Sequence, residues 1–251
     1  MKTWGCTAYG TAALLLLAST AASAQTVDEI VSRHIEARGG YARLKAIQTM
    51  KITRTITTPF SDIKVVIYRK RPHLYRAEQA PAGQPPVPRA INTDVAWDMV
   101  QGKVVPRPAH AFGEARDIDG DFDGLLVDWK AKGHSVTLEG QEQLPGGETY
   151  KLKVTTKSGV VRNVYLDAKT YLDRRHTGIF TIYHPTDRAR DRTFNIVVDF
   201  GGWREIDGVK FPFDIQEERT SKEPVQSFVT YTEKIELNVA MDDSLFVHSA
   251  K

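Results

Sequence analysis

The chain has 251 residues and a single cysteine, Cys6, placed before any folded segment is expected. A disulfide framework, a thiolate nucleophile and a cysteine-ligated metal are therefore excluded from the remainder. It also lacks a long apolar run. "AALLLLA" (Ala12 to Ala18) is far short of the about 20 residues needed to span a bilayer. Neither sign of charge dominates: 34 basic residues face 31 acidic ones, a formal net charge of +3. Nothing there resembles the concentrated basic surface that binds nucleic acid, so no nucleic-acid partner is expected.

The N-terminus has one charge, Lys2, then the short apolar stretch, then the small-residue sequence "ASA" ending at Ala24. This is the pattern of a secretory leader over residues 1–24, cleaved before Gln25. Cys6 precedes the apolar stretch rather than following it, so no lipid anchor is expected. Residues 25–251 then form a single domain exported to the periplasm.

That domain begins with a helix signal. Thr26 and Glu29 form a T-x-x-E capping box. Val27, Ile30, Val31 and Ile35 recur at helical spacing, and Gly39-Gly40 stops the helix. His34 reads as a partly exposed helix residue. "YARLKAI" (Tyr41 to Ile47) is a second helical piece. After Ile47 the period becomes two. Met50, Ile52, Arg54 and Ile56 share one face of a strand, and Ile63, Val65 and Ile67 share a face of the next, with Pro59 to Asp62 as the turn. Alternating segments continue to Leu237, separated by turns such as Gly146-Gly147, Gly201-Gly202 and Asp207-Gly208. Ten or eleven strands in hairpin order follow. Two Pro-rich stretches, Ala80 to Pro88 and Val104 to Phe112, read as long mobile loops.

The fold class expected is mainly β (α+β): a large antiparallel sheet with helices on one face. A sheet this wide curls. A narrow N-terminal helix is small cover for faces such as Tyr150/Leu152/Val154 and Phe194/Ile196/Val198. Alternation nominates a concave apolar wall of Ile52, Val65, Ile67, Trp97, Leu152, Val154, Ile196, Val198 and Phe213.

The stretch Lys70-Arg71-Pro72, followed by Leu74, Tyr75 and a later strand carrying Trp97, resembles the LolA/LolB-like outer-membrane lipoprotein-sorting family. "VDEIVSRHIEARGGYARLKAIQTMKI", "VYLDAKTYLDRR" and "REIDGVKFPFDIQEE" resemble its divergent members. The resemblance implies an unclosed β-barrel with helices over its open side, and an apolar cavity for lipid or lipoprotein acyl chains. It also implies that Arg71 helps hold the helical lid closed, so Arg71→Leu is expected to weaken ligand handling more than folding. The longer loops and the charged "HPTDRARDR" segment (His184 to Arg192) depart from the classical carrier. The ligand class is therefore read broadly, as a lipid, an acyl chain or another amphiphile, with a membrane protein of the envelope as a partner.

Three other readings stay open. Asp119, Asp121, Asp123 and Gly124 imitate the opening of a calcium loop, but Lys130 stands where the bidentate Glu belongs. The main reading is a turn with solvated carboxylates, calcium the alternative, and no metal or other cofactor is expected. A hydrolase would need an unrecognised site: there is no G-x-S-x-G or H-E-x-x-H, and Glu217 and Glu218 point to opposite faces of a strand. No enzyme activity is expected. The third reading is an envelope interaction module with a filled core.

Overall fold

The computed structural model describes residues 25–247 apart from 185, 186 and 223. The leader and Cys6 lie outside the described residues.

Helix α1 (Val27–Ala37) starts where the capping box places it. The Glu29 amide donates to Thr26 Oγ1 at 3.3 Å, and the Thr26 amide donates to Glu29 Oε2 at 2.8 Å. Its buried face carries Ile30, Val31 and His34. Gly39 then turns the chain at φ +123°. A Cβ there would stand 2.1 Å from the Gly208 carbonyl oxygen, so only glycine lets the two backbones meet. Helix α2 (Tyr41–Ala46) follows.

The strands are β1 (Thr49–Thr57), β2 (Asp62–Lys70), β3 (Leu74–Pro81), β4 (Val87–Ile91), β5 (Ala96–Val100) and β6 (Lys103–Pro106). After helix α3 (Ala109–Ile118) come β7 (Ser135–Leu144), β8 (Gly147–Thr155), β9 (Val161–Asp167), β10 (Asp173–Ile182) and β11 (Arg192–Gly201). A small hairpin, β12 (Arg204–Ile206) and β13 (Val209–Phe211), precedes β14 (Asp214–Thr220) and β15 (Gln226–Leu237). One antiparallel sheet of 13 strands runs β6-β5-β4-β3-β2-β1-β15-β14-β11-β10-β9-β8-β7 and does not close. Two meanders are thus joined through their outermost partners in sequence, β1 and β15.

The mainly β, unclosed architecture agrees with expectation; the strand count exceeds it. The Pro-rich stretches hold β4 and β6 and lead into α3, and are not structureless loops. The α3 sequence "AHAFGEARDI" buries only Ala111, Ala115 and Asp117, and Gly113 lets it approach Ser158. Small buried residues give weak hydrophobic periodicity, which hid the helix.

Cross-strand partners fix which side chains share a face. Ile52 stands opposite both Ile67 and Ile235, Arg54 opposite Val65 and Thr232, and Met50 opposite Arg69 and Leu237. The same inner face continues through Leu152 opposite Val164, Val164 opposite His176, and His176 opposite Val198. Helices cover its two ends. At one, Leu44 and Ile47 near α2, Ala115 of α3 and Phe122 pack with Ile52, Val65, Ile67 and Ala77. At the other, Ile30 and Val31 of α1 and Leu126 pack with Leu152, Val154, Val164 and Leu166.

Candidate functional site: a charged cavity on the inner face

Between the two apolar clusters lies a cavity of about 320 Å³, at the small end of the range for ligand pockets. The sheet contributes Met50, Ile52 and Arg54 from β1, Arg69 from β2, Arg162 and Val164 from β9, and Asp173 and His176 from β10. His34 and Arg38 enter from the α1 side, and residues 121–126 form another wall. Phe200, Trp203 and Phe211 supply aromatic surface.

Of the nine expected wall residues, only Ile52 lines this cavity. Val65 and Ile67 share its face but are covered by the α2–α3 cluster, and Leu152 and Val154 are fully buried beside α1. Ile196 and Val198 lie on the inner face opposite Gly178 and His176. Phe213 is buried in the same cluster as Ile52. Trp97 faces the other way. It is directly opposite Ala90, which is opposite Arg76, and the Arg76 guanidinium lies 5.9 Å from the Trp97 ring. Arg76 also donates to the Leu245 carbonyl at 2.9 Å, so the C-terminal segment covers that outer face.

Arg71 stands at the end of β2, before Pro72. Its Nε donates to the Ile47 carbonyl at 2.7 Å and its Nη2 to the Leu44 carbonyl at 3.0 Å. Both acceptors lie at the C-terminal end of α2, where carbonyls lose their intrahelical donors. Arg71 also grips Asp123 through both terminal nitrogens, with Nη1 to Oδ2 at 2.8 Å. Lys45 reaches the same carboxylate at 3.0 Å and Asp128 at 2.9 Å. Burial alone would raise the Asp123 carboxyl. The hydrogen bonds from Arg71 and Lys45 outweigh it and hold the group below the ordinary carboxylate range.

The acidic stretch is therefore not a solvated turn. Asp121 and Asp123 are buried, and Asp121 accepts from Lys132 Nζ at 2.6 Å. Asp119 instead faces Arg107, at 3.6 Å. Each of the three candidate calcium ligands thus has its own cationic side chain. Among the described residues no cluster of His, Cys, Asp and Glu is arranged to hold a metal ion. The segment serves as a clamp: Arg38 and Arg69 also donate to the carbonyls of Asp123 and Asp121, at 2.9 and 2.6 Å.

The third part of the site is a His34–Asp173–His176 group. His34 is buried and its Nδ1–H donates to the Tyr171 carbonyl at 2.9 Å. Its Nε2 lies 3.8 Å from Asp173, whose other oxygen accepts from His176 Nε2 at 2.9 Å. Burial holds the His34 imidazole below its ordinary value. Burial would raise Asp173, but His34 and His176 reverse this and hold it well below the carboxylate range. No serine, threonine or cysteine side chain lines the cavity among the described residues, so the cavity brings no hydroxyl or thiol nucleophile to these histidines.

Sequence reasoning missed Arg38, Arg54, Arg69, Arg162, Asp173 and His176, and treated His34 as peripheral. The one available signal was Arg54, a charge in phase with Met50, Ile52 and Ile56.

No protein-family model and no curated protein matches the chain. Solved structures do match its fold. A LolA superfamily protein from Nitrosomonas europaea superposes with a TM-score of 0.59 at 13% identity, covering 90% of this chain and 99% of the other. A DUF1329 family protein from Desulfovibrio piger gives 0.56 at 16% identity, covering 90% and 98%. An outer membrane lipoprotein-sorting protein domain from Vibrio parahaemolyticus gives 0.54 at 9% identity, covering 87% and 94%. The chain thus has a LolA-like fold.

Proposed function

We propose that this chain is a periplasmic carrier or sensor that holds a lipid, an acyl chain or another amphipathic ligand against the inner face of its sheet. The observation that carries this reading is the cavity left between two helix-covered apolar clusters. The driving force is removal of acyl surface from water, about 25 cal/mol per Å² before the entropic costs of binding. The LolA-like fold supports the same reading, since one structure sharing it is described as a lipoprotein-sorting domain.

Helix α1, which lines the cavity through His34, and Arg71 govern access. Arg71 ties the α2 end to the Asp121–Asp123 clamp, so opening requires that the helix end either part from Arg71 or move with it. The leader pattern over residues 1–24 supports export, and no described helix is long and apolar enough to cross a membrane. A membrane protein of the envelope is the natural donor or acceptor for such a ligand.

One observation favours the runner-up, an interaction module with a filled core: the helices already bury most of the expected wall. Native mass spectrometry of the periplasmic protein separates the two. The carrier shows an acyl-containing adduct that organic extraction removes, and the stripped protein takes up a fluorescent fatty acid. A bare mass together with no uptake would sink the carrier reading.

A further inference from the structure

Four guanidinium groups line the cavity, and among the described residues only Arg162, 3.8 Å from Glu114, forms an ion pair. Arg54 forms no ion pair with any described carboxylate, and its Nε is shielded from solvent without a hydrogen-bond partner. Directly opposite it on β15, Thr232 is 6% exposed, and its hydroxyl also lacks a partner. Arg69 projects from the same inner face of the neighbouring strand, and its one side-chain hydrogen bond goes to a backbone carbonyl. The Nε of Arg38, another cavity residue, is likewise orphaned.

The carboxylates of the cavity do not offset the charge of Arg54. Asp123 is held by Arg71 and Lys45 and Asp121 by Lys132, while Asp173, hydrogen-bonded to His176, partly offsets Arg38 and not Arg54. Of their oxygens only Asp121 Oδ2 is both buried and without a donor, and it makes no ion pair with Arg54. Burial, and then the neighbouring charge of Arg69, push the Arg54 guanidinium down to about 10, still charged at neutral pH. A half-buried charge beside a like charge is retained where something of opposite charge completes it.

We propose that Arg54, Arg69 and Arg38, which all line the cavity, form a site for an oxyanion, a carboxylate or phosphate, that is the head of the bound amphiphile. Ile52 and Met50 share β1 with Arg54, and Met50 stands opposite Arg69, so a chain attached to the anion continues directly onto apolar wall. This inference rests on the carrier reading above and adds the chemistry of the ligand's head. A planar guanidinium fork suits either oxyanion.

The test is calorimetric titration of the stripped protein with dodecanoate, dodecanol and inorganic phosphate, on wild type, Arg54→Met and Arg54→Lys. The site predicts dodecanoate at least tenfold tighter than dodecanol on wild type. Arg54→Met brings dodecanoate down to the level of dodecanol, and Arg54→Lys falls between. Equal affinity for acid and alcohol, unmoved by Arg54→Met, overturns the head-group site and leaves the carrier standing. If neither amphiphile binds but phosphate does, with a loss in Arg54→Met, the carrier reading and the amphiphilic source both fail and a site for a free anion remains. If none of the three binds, both proposals fall. Thermal melting checks the fold of each variant. The acid-against-alcohol comparison on wild type decides the matter even if Arg54→Met does not fold.

Discussion

Arg71→Leu is the substitution whose consequence the contacts define most fully. The Asp123 side chain is 5% exposed and that of Arg71 17%, so the pair is shielded from solvent screening. Removing the guanidinium strands the Asp123 carboxylate with Lys45 as its one remaining cation, at 3.0 Å. It also takes the donors from the Ile47 and Leu44 carbonyls and the cation from the face of Phe122, 4.4 Å from the ring centre. Breaking a buried pair from one side costs about 3–5 kcal/mol. Lys45 places this case near the lower end. At about 2–4 °C per kcal/mol for a domain of this size, the melting temperature falls by roughly 6–12 °C. Folding is thus predicted to suffer heavily, whereas the sequence suggests that ligand handling is weakened more than folding.

Urea titration at constant m-value measures the loss. A cycle with Asp123→Leu isolates the pair: the double variant should cost at least about 2 kcal/mol less than the sum of the single variants. The pH dependence supplies an independent check. A depressed carboxyl stabilises the fold above its unfolded pKa, and that contribution disappears as pH falls through the lowered native value. Arg71→Leu should therefore flatten the acid limb of the stability curve. A cost below about 1 kcal/mol, the range of an exposed ion pair, with no coupling to Asp123, would refute the clamp.

Two further substitutions probe the placement of residues. Trp97→Ala should cost about 3–5 kcal/mol of stability yet leave the fatty-acid affinity of the folded protein unchanged, because Trp97 lies on the outer face. A tenfold loss of affinity would contradict that face assignment. His34 is held neutral by burial, so the unfolded chain takes up its proton near pH 6.5 before the native protein does. Its contribution is complete above that pH and is lost as pH drops toward the lowered native value. Urea midpoints from pH 8 to pH 5 should fall less steeply in His34→Asn than in wild type. A residual slope remains from His134, which burial also holds low. Identical slopes would remove His34 as the source.

Local order was legible wherever one residue type answers one local need. The T-x-x-E box set the start of α1, Gly39 set its end, and period-two runs marked β1, β2, β8, β9 and β11. Reading failed where the signal was small or distant. Helix α3 packs through alanines, and β4 and β6 are short and contain proline. Trp97 alternates correctly with its neighbours, but nothing local states which parity of β5 turns inward.

The sequence by itself determined the mainly β class, the start and end of α1, the hairpin pairing of neighbouring strands and the Arg71 element, because each follows from neighbours a few residues apart. Only the tertiary structure decided that Asp123 belongs to Arg71, that Arg54 and Thr232 confront each other without partners, and that a cavity survives between two filled ends. Those facts depend on the register of strands at opposite ends of the chain, such as Ile52 against Ile235. A shift of one residue there would turn every inward side chain out.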